Sequence, residues 1–392
     1  MQSLGQAKWV RWWQRWGAYG MAVVFTAVIF TLISRQYATF DTRSSDLDRF
    51  LQAFWNTVNG RFMYSTIEER TVLSGHFSPI FLLLVPLQFI WNDPRVYSLV
   101  QTIGFAVAGL FLYKIVTKKH AAIAPWFLLA FYLNPVLHTV ALLELRRITF
   151  AVPFLAIGLY GLAEKRRWVT AVGFFLALLC KENVALIVVM VGIYLIAIER
   201  DWRWGSAFVA LGIAWAGMVI FVINPLVDPR AVKVESAGQV YRGFNYFATW
   251  GTTLPEILGN ILRQPFIAFQ RAFDAESLQA LWRVFLPVGI ILPFLAPTWI
   301  ALILPLLFLM LLSSNPTMHS LDSWYPTSLI PFMFAAIAVW LRDRDKKVAW
   351  AGTAVLLLFT LFTFRQESPL PLGKKFIPIR YEIIEHHKLA AE

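Results

Sequence analysis

A handful of charged and titratable side chains in this sequence have the types and spacing to do chemistry. Asp46 and Asp48 lie in the polar run Ser44-Ser45-Asp46-Leu47-Asp48-Arg49, after one apolar stretch and ahead of the amphipathic Phe50-Leu51-Gln52-Ala53-Phe54-Trp55-Asn56. A carboxylate placed there could take a proton from a substrate hydroxyl, and a second could assist it or hold a divalent cation. A structural account competes: Ser44 or Ser45 caps a helix, and acids in its first turn suit the dipole.

Lys181-Glu182-Asn183 interrupts an otherwise continuous apolar stretch over residues 169–198. A hairpin turn would explain it, but only Asn183 is a common turn residue. Ions between two apolar segments are usually functional, so these residues are expected to line a polar cavity. Glu144, Arg146 and Arg147 also sit between apolar runs. The planar guanidinium fork suits phosphate oxygens, so the arginines form a phosphate clamp or else snorkel to headgroups. His76, His319 and Asp322 complete the set of polar outliers. A lone histidine near an interface is most often structural, and no His, Cys, Asp or Glu spacing matches a zinc site. The sequence has no Walker loop, dinucleotide fingerprint or nucleophile elbow.

Membrane helices must position these residues. The chain has 392 residues, 58% of them hydrophobic and only 15% charged. A soluble chain would carry roughly 25% charged residues. Long apolar stretches recur throughout, which implies an all-α polytopic membrane protein with no separate soluble domain. The net charge of +12 resides largely in short loops. That fits anionic headgroups and the positive-inside rule, and gives no reason to expect nucleic acid. Cys180 is the one cysteine, so no intrachain disulfide forms.

Loop charge sets the expected topology. Residues 1–16 form a basic, aromatic lead-in on the cytoplasmic side, ahead of an uncleaved span over 17–33. Residues 34–95 form a first outer loop with interfacial helices. Within it, 77–91 is expected to lie in the interface or re-enter, because a crossing there would put Lys118-Lys119 outside. About eleven spans follow from this pattern, several shorter than the ~20 residues of a straight crossing. A second large outer loop covers 224–279, and the tail, 365–392, is extracytoplasmic. The expected location is the plasma (inner) membrane. On this layout Asp46, Asp48, His76, Glu144, Arg146, Arg147, Lys181, Glu182, His319 and Asp322 all fall on the outer side.

Several segments resemble a bacterial and archaeal family of membrane proteins, domain of unknown function 2079. They are Asp46-Leu47, Gln52-Ala53-Phe54-Trp55-Asn56-Thr57, Gly60-Arg61-Phe62 and Gly75-His76-Phe77-Ser78-Pro79. Lys181-Glu182, Leu311-Leu312-Ser313-Ser314, and Tyr325 followed by Leu329-Ile330-Pro331-Phe332 continue the match. The chain departs from the pattern at Leu51, where a second acid is often found, at Arg146-Arg147 and at Trp324. The family extends beyond the last span, whereas this chain stops inside a helix-like stretch, which suggests a C-terminus cut short.

That family is similar in layout to the GT-C glycosyltransferases. The resemblance implies transfer of a sugar from a polyprenyl-phosphate donor at the extracytoplasmic face, with inversion at the anomeric carbon. It implies Asp46 as the base, with Asp48 assisting. Arg146, Arg147 and Lys181 would neutralise the phosphate, and Glu182 would orient Lys181. His76, Glu144, His319 and Asp322 would complete the substrate site. A transporter, a lipid-binding protein and a degenerate non-catalytic relative are the alternatives. Metal dependence and oligomeric state stay open.

Overall fold

The computed structural model describes residues 2–42, 45–143, 145–227, 242–319, 324–385 and 387; the side chains of 2–15, 45, 242, 243, 316 and 319 are not described. Helices of two turns or more are numbered here. They are α1 (Gln2–Ala38), α2 (Ser45–Val58), α3 (Arg95–Thr117), α4 (Ala124–Tyr132), α5 (Pro135–Leu142), α6 (Ala151–Ala163), α7 (Arg167–Leu178) and α8 (Val184–Ala197). Then come α9 (Trp202–Gly217), α10 (Leu254–Arg263), α11 (Pro265–Ala272), α12 (Ala275–Phe285), α13 (Leu304–Leu311), α14 (Ile330–Asp343) and α15 (Lys346–Glu367). Among the described residues the only strands are β1 (Tyr64–Ser65) and β2 (Arg70–Thr71), paired antiparallel with Tyr64 opposite Thr71.

Among the described residues five segments are long and apolar enough to cross a bilayer: Trp16–Ala38, Arg95–Thr117, Trp202–Val227, Tyr325–Asp343 and Lys346–Glu367. A sixth arises if α4 and α5, bent by 44°, are one span. The bend falls at Asn134-Pro135, because proline lacks the N–H that a continuous helix needs. Asn134 caps the second half by accepting from Val136 N. Five further apolar helices among the described residues have 10–17 residues. The expectation of about eleven spans therefore resolves into long helices and a group of short ones. The apolar stretch 281–295 is not one helix. α12 ends at Phe285, and short 3-10 turns follow over Leu286–Val288 and Leu292–Leu295, each with an early proline.

The short helices pack closely. A Cβ on Gly173 of α7 would stand 2.4 Å from the backbone N of Gly158 on α6. Small residues let helix backbones touch where lipid supplies no hydrophobic drive between them. α14 is buried nearly all round, against α3 and α6, and forms the centre of the bundle.

Charged loops sort to two ends. At one end Lys118 pairs with Glu164 at 2.7 Å, and Arg167 pairs with Glu199 and, at 2.8 Å, with Asp201. Arg342 Nη1 donates to the Ala163 carbonyl at 3.1 Å, and His120 Nε2 lies 3.1 Å from the Arg344 carbonyl. At the other end the chain after α15 returns to the end of α1, where Thr39 Oγ1 donates to the Arg380 carbonyl at 2.7 Å. The 77–91 segment also belongs to this second end. It folds as a 3-10 turn over Pro79–Leu84 and a one-turn helix, Leu87–Ile90, and Ile80 N donates to the Leu179 carbonyl beyond α7.

Candidate functional site

A cavity of about 690 Å³ opens at this second end. Its lining includes Asp46, His76, Arg146, Arg147 and Lys181, five of the residues singled out by sequence. Each comes from a different stretch of chain or a different side of one turn.

α2 carries the first. Leu47, Phe50, Ala53 and Phe54 are buried, a helical repeat of apolar positions facing the bundle. Phe50 and Phe54 both meet the Phe81 ring edge-on, at 4.8 and 5.9 Å. This packing turns Asp46, Arg49 and Phe50 toward the cavity. Asp48, two residues on, falls on the opposite side of the helix, is exposed, and stands outside the cavity lining.

The same helix holds the small hairpin. Asn56 Nδ2 donates to the Tyr64 carbonyl at 2.8 Å, and Gln52 Oε1 accepts from Ser65 Oγ at 2.9 Å and Thr66 N at 2.8 Å. The hairpin thereby presents Glu68 and Arg70. Glu68 pairs with Arg49, and Arg70 Nε lies 3.2 Å from Glu68 Oε2. Burial works against the Glu68 charge, but Arg49 and Arg70 outweigh it and hold the carboxyl below its usual range. Past the hairpin, Gly75 adopts φ +74°, a left-handed conformation that suits glycine, and the next residue is His76.

Arg146 and Arg147 enter from the turn before α6. Gln101 on α3 steadies this turn: its Oε1 accepts from Thr149 Oγ1 at 2.6 Å. Arg146 pairs with Asp46, and its guanidinium lies 3.8 Å from the centre of the Trp324 ring. Arg147 takes a different environment. Its Nη2 donates to the Val72 carbonyl at 2.7 Å, and its guanidinium lies 4.7 Å over the Phe50 ring.

Lys181 and Glu182 occupy the break between α7 and α8, and each is only 8% exposed. Glu182 meets the histidine of the hairpin side. Its Oε1 lies 2.6 Å from His76 Nδ1. The Lys181 ammonium stands 5.4 Å from the Tyr325 ring. Burial pulls it below the ordinary lysine value, Glu182 works the other way, and Arg147 adds to the fall.

The far wall is aromatic. Ser313 and Ser314 hydroxyls each donate to the Tyr246 carbonyl at 3.0 Å, which fixes Tyr246 against Tyr325 at 6.4 Å between rings. Glu144 and Asp322 lie outside the described residues, as does the side chain of His319. Among the described residues no three His, Cys, Asp or Glu side chains are grouped to hold a metal ion.

Among the described residues the lining contributes five cationic side chains, Arg49, Arg70, Arg146, Arg147 and Lys181, against two carboxylates, Asp46 and Glu68. The carboxylates engage Arg49, Arg70 and Arg146. Among the described residues no carboxylate pairs with Arg147 or Lys181. An excess of buried cation favours an anion with several acceptor oxygens.

Arg49, Glu68, Arg70 and Tyr246 were not singled out by sequence. Arg49 had a signal, lying one helical turn after Asp46. The others depend on the hairpin register and on the two serines.

A family profile described as predicted membrane protein (DUF2079) matches residues 36–379. No curated protein matches the chain, and neither does any solved structure.

Proposed function

We propose, from the premise that this chain belongs to the DUF2079 family of predicted membrane proteins, that it is a multi-pass membrane enzyme that transfers a sugar from a polyprenyl-phosphate donor to a hydroxyl acceptor. The observation that carries this reading is the pairing pattern in the cavity. Two cations, Arg147 and Lys181, face it without a carboxylate partner among the described residues, beside three arginines that have one. A phosphate leaving group gains negative charge as it departs, and fixed cations stabilise it there. Tyr246, Trp324 and Tyr325 offer the flat apolar surface that a sugar ring can pack on.

The bundle end with the cavity is taken as extracytoplasmic, and the end with Lys118, Arg167 and Arg342 as cytoplasmic, from the positive-inside rule. The amphipathic helices α10, α11 and α12 expose Leu262, Phe266, Phe269 and Trp282. They would lie in the outer interface and admit the donor's lipid tail. A transporter would hold its site near the midplane between repeats. This cavity lies at one end, which favours the enzyme.

The test is sugar transfer by the purified chain in lipid nanodiscs, with a panel of polyprenyl-phosphate and polyprenyl-diphosphate sugars. Transfer from at least one donor, lost in the double variant Arg147→Ala with Lys181→Met, is expected. Binding of undecaprenyl phosphate without transfer from any donor would move the assignment to a lipid-binding protein.

A further inference from the structure

We propose that His76 accepts the proton from the acceptor hydroxyl, through its Nε2 atom, and that Glu182 is the residue that positions it. The inference rests on the transferase reading above and reassigns its base, which the sequence had placed at Asp46.

The geometry is that of an acid-oriented imidazole. Glu182 Oε1 lies 2.6 Å from His76 Nδ1. A carboxylate accepts, so Nδ1 carries the hydrogen, and in the neutral ring the lone pair is on Nε2. The ring lines the same cavity as Arg147 and Lys181. Both partners are fixed by backbone: His76 by the left-handed Gly75, Glu182 by the turn in which Ala185 N donates to its carbonyl at 3.1 Å.

Among the described residues the charged groups that act on the ring are Glu182, Lys181 and Arg147. Burial and the two cations favour the neutral ring, while Glu182 favours imidazolium; the net effect holds His76 below its ordinary value. The neutral ring is the form able to take a proton. An anion on Lys181 and Arg147 offsets their charge, so the ring becomes a stronger base once the donor is bound. Asp46 is differently engaged. Arg49 and Arg146 both pair with it, so its charge already serves to hold two guanidinium groups.

The step balances. The acceptor O–H bond breaks and its proton passes to His76 Nε2. The oxygen's electron pair forms the new bond to the anomeric carbon. The bond from that carbon to the phosphate oxygen breaks, and its electron pair leaves on the polyprenyl phosphate, beside Arg147 and Lys181. Glu182 steadies the imidazolium without touching the sugar.

The experiment uses the full chain in nanodiscs and the best donor of the panel. Rates are measured against pH for the parent, His76→Gln, Glu182→Gln and Asp46→Asn, together with affinity for undecaprenyl phosphate. His76→Gln should lower kcat about 10²–10⁴-fold, with undecaprenyl phosphate affinity unchanged, which also shows that the variant folds. Glu182→Gln should lower kcat less and shift the acid limb of the profile to lower pH. Added imidazole should restore part of the rate of His76→Gly. If His76→Gln turns over like the parent, or only Asp46→Asn abolishes kcat, the assignment of the base is wrong and the transferase reading stands. If the parent transfers from no donor, both fall together.

Discussion

Arg146 pairs with Asp46 while its guanidinium stacks on the Trp324 ring, 3.8 Å from the centroid. One side chain thus joins α2, the turn before α6 and the segment leading into α14. The pair is mostly shielded, with Arg146 10% and Asp46 19% exposed at the side chain. The pair ties two walls of the cavity to each other.

Asp46→Ala should therefore destabilise the protein. Breaking a buried pair costs about 3–5 kcal/mol, and the partial exposure brings that to roughly 1–3 kcal/mol. The double variant Asp46→Ala with Arg146→Ala should be more stable than the sum of the single losses. Thermal unfolding in nanodiscs over this double-mutant cycle measures the coupling. Strict additivity would show that the two groups do not depend on each other.

Arg147→Ala and Lys181→Met should each weaken binding of undecaprenyl phosphate about 10–100-fold, since a hydrogen bond to a charged group contributes about 1.5–3 kcal/mol. Lys346→Met, at the opposite end, should have no effect. Equal losses at all three positions would mean that binding follows net charge and not this site.

Single cysteines in a Cys180→Ser background test the topology. Positions 92 and 372 should label from outside intact cells, and position 346 should not. Labelling of 346 from outside would invert the bundle and put the cavity in the cytoplasm.

Stability should fall with acid in two windows. His76 sits below its ordinary value of 6.5 when folded, so the unfolded chain binds its proton first. Its contribution is complete above pH 6.5 and is lost as pH falls from there through the folded value. Glu68 is likewise held low, so its contribution disappears only below its ordinary 4.5. Unfolding midpoints between pH 7.5 and 5, compared for the parent and His76→Gln, isolate the first window. The variant should lose less stability across this range; an identical slope would remove His76 as its source.

Five cavity residues were legible because charge is scarce in this chain. Lys181 and Arg147 each interrupt apolar sequence, so each stood out. Glu68 and Arg70, which join Arg49 of α2, lie in a polar loop, where one more charge carries no signal. Their meeting needs the two-residue hairpin that Gln52 and Asn56 hold, which no periodicity announces. Asp48 is the contrasting case. It is as prominent in sequence as Asp46, yet two residues along a helix turn it to the other side. The break-up of 281–295 was obscured because apolar content is the same in a helix and in a 3-10 turn; Pro287 and Pro293 were the available hints.

The shortness of α7 and α8 has a consequence for depth. With 12 and 14 residues they rise about 18 and 21 Å, against roughly 30 Å of hydrocarbon. On the proposed topology their inner ends, Arg167 and Glu199, lie at the cytoplasmic surface. Lys181, at their junction, then sits several ångströms below the level of the outer headgroups. A lipid phosphate reaches it by sinking, or the bilayer thins locally to meet it. Membrane thickness thereby becomes a variable of substrate access: nanodiscs of longer-chain lipids should hold undecaprenyl phosphate less tightly than those of shorter-chain lipids.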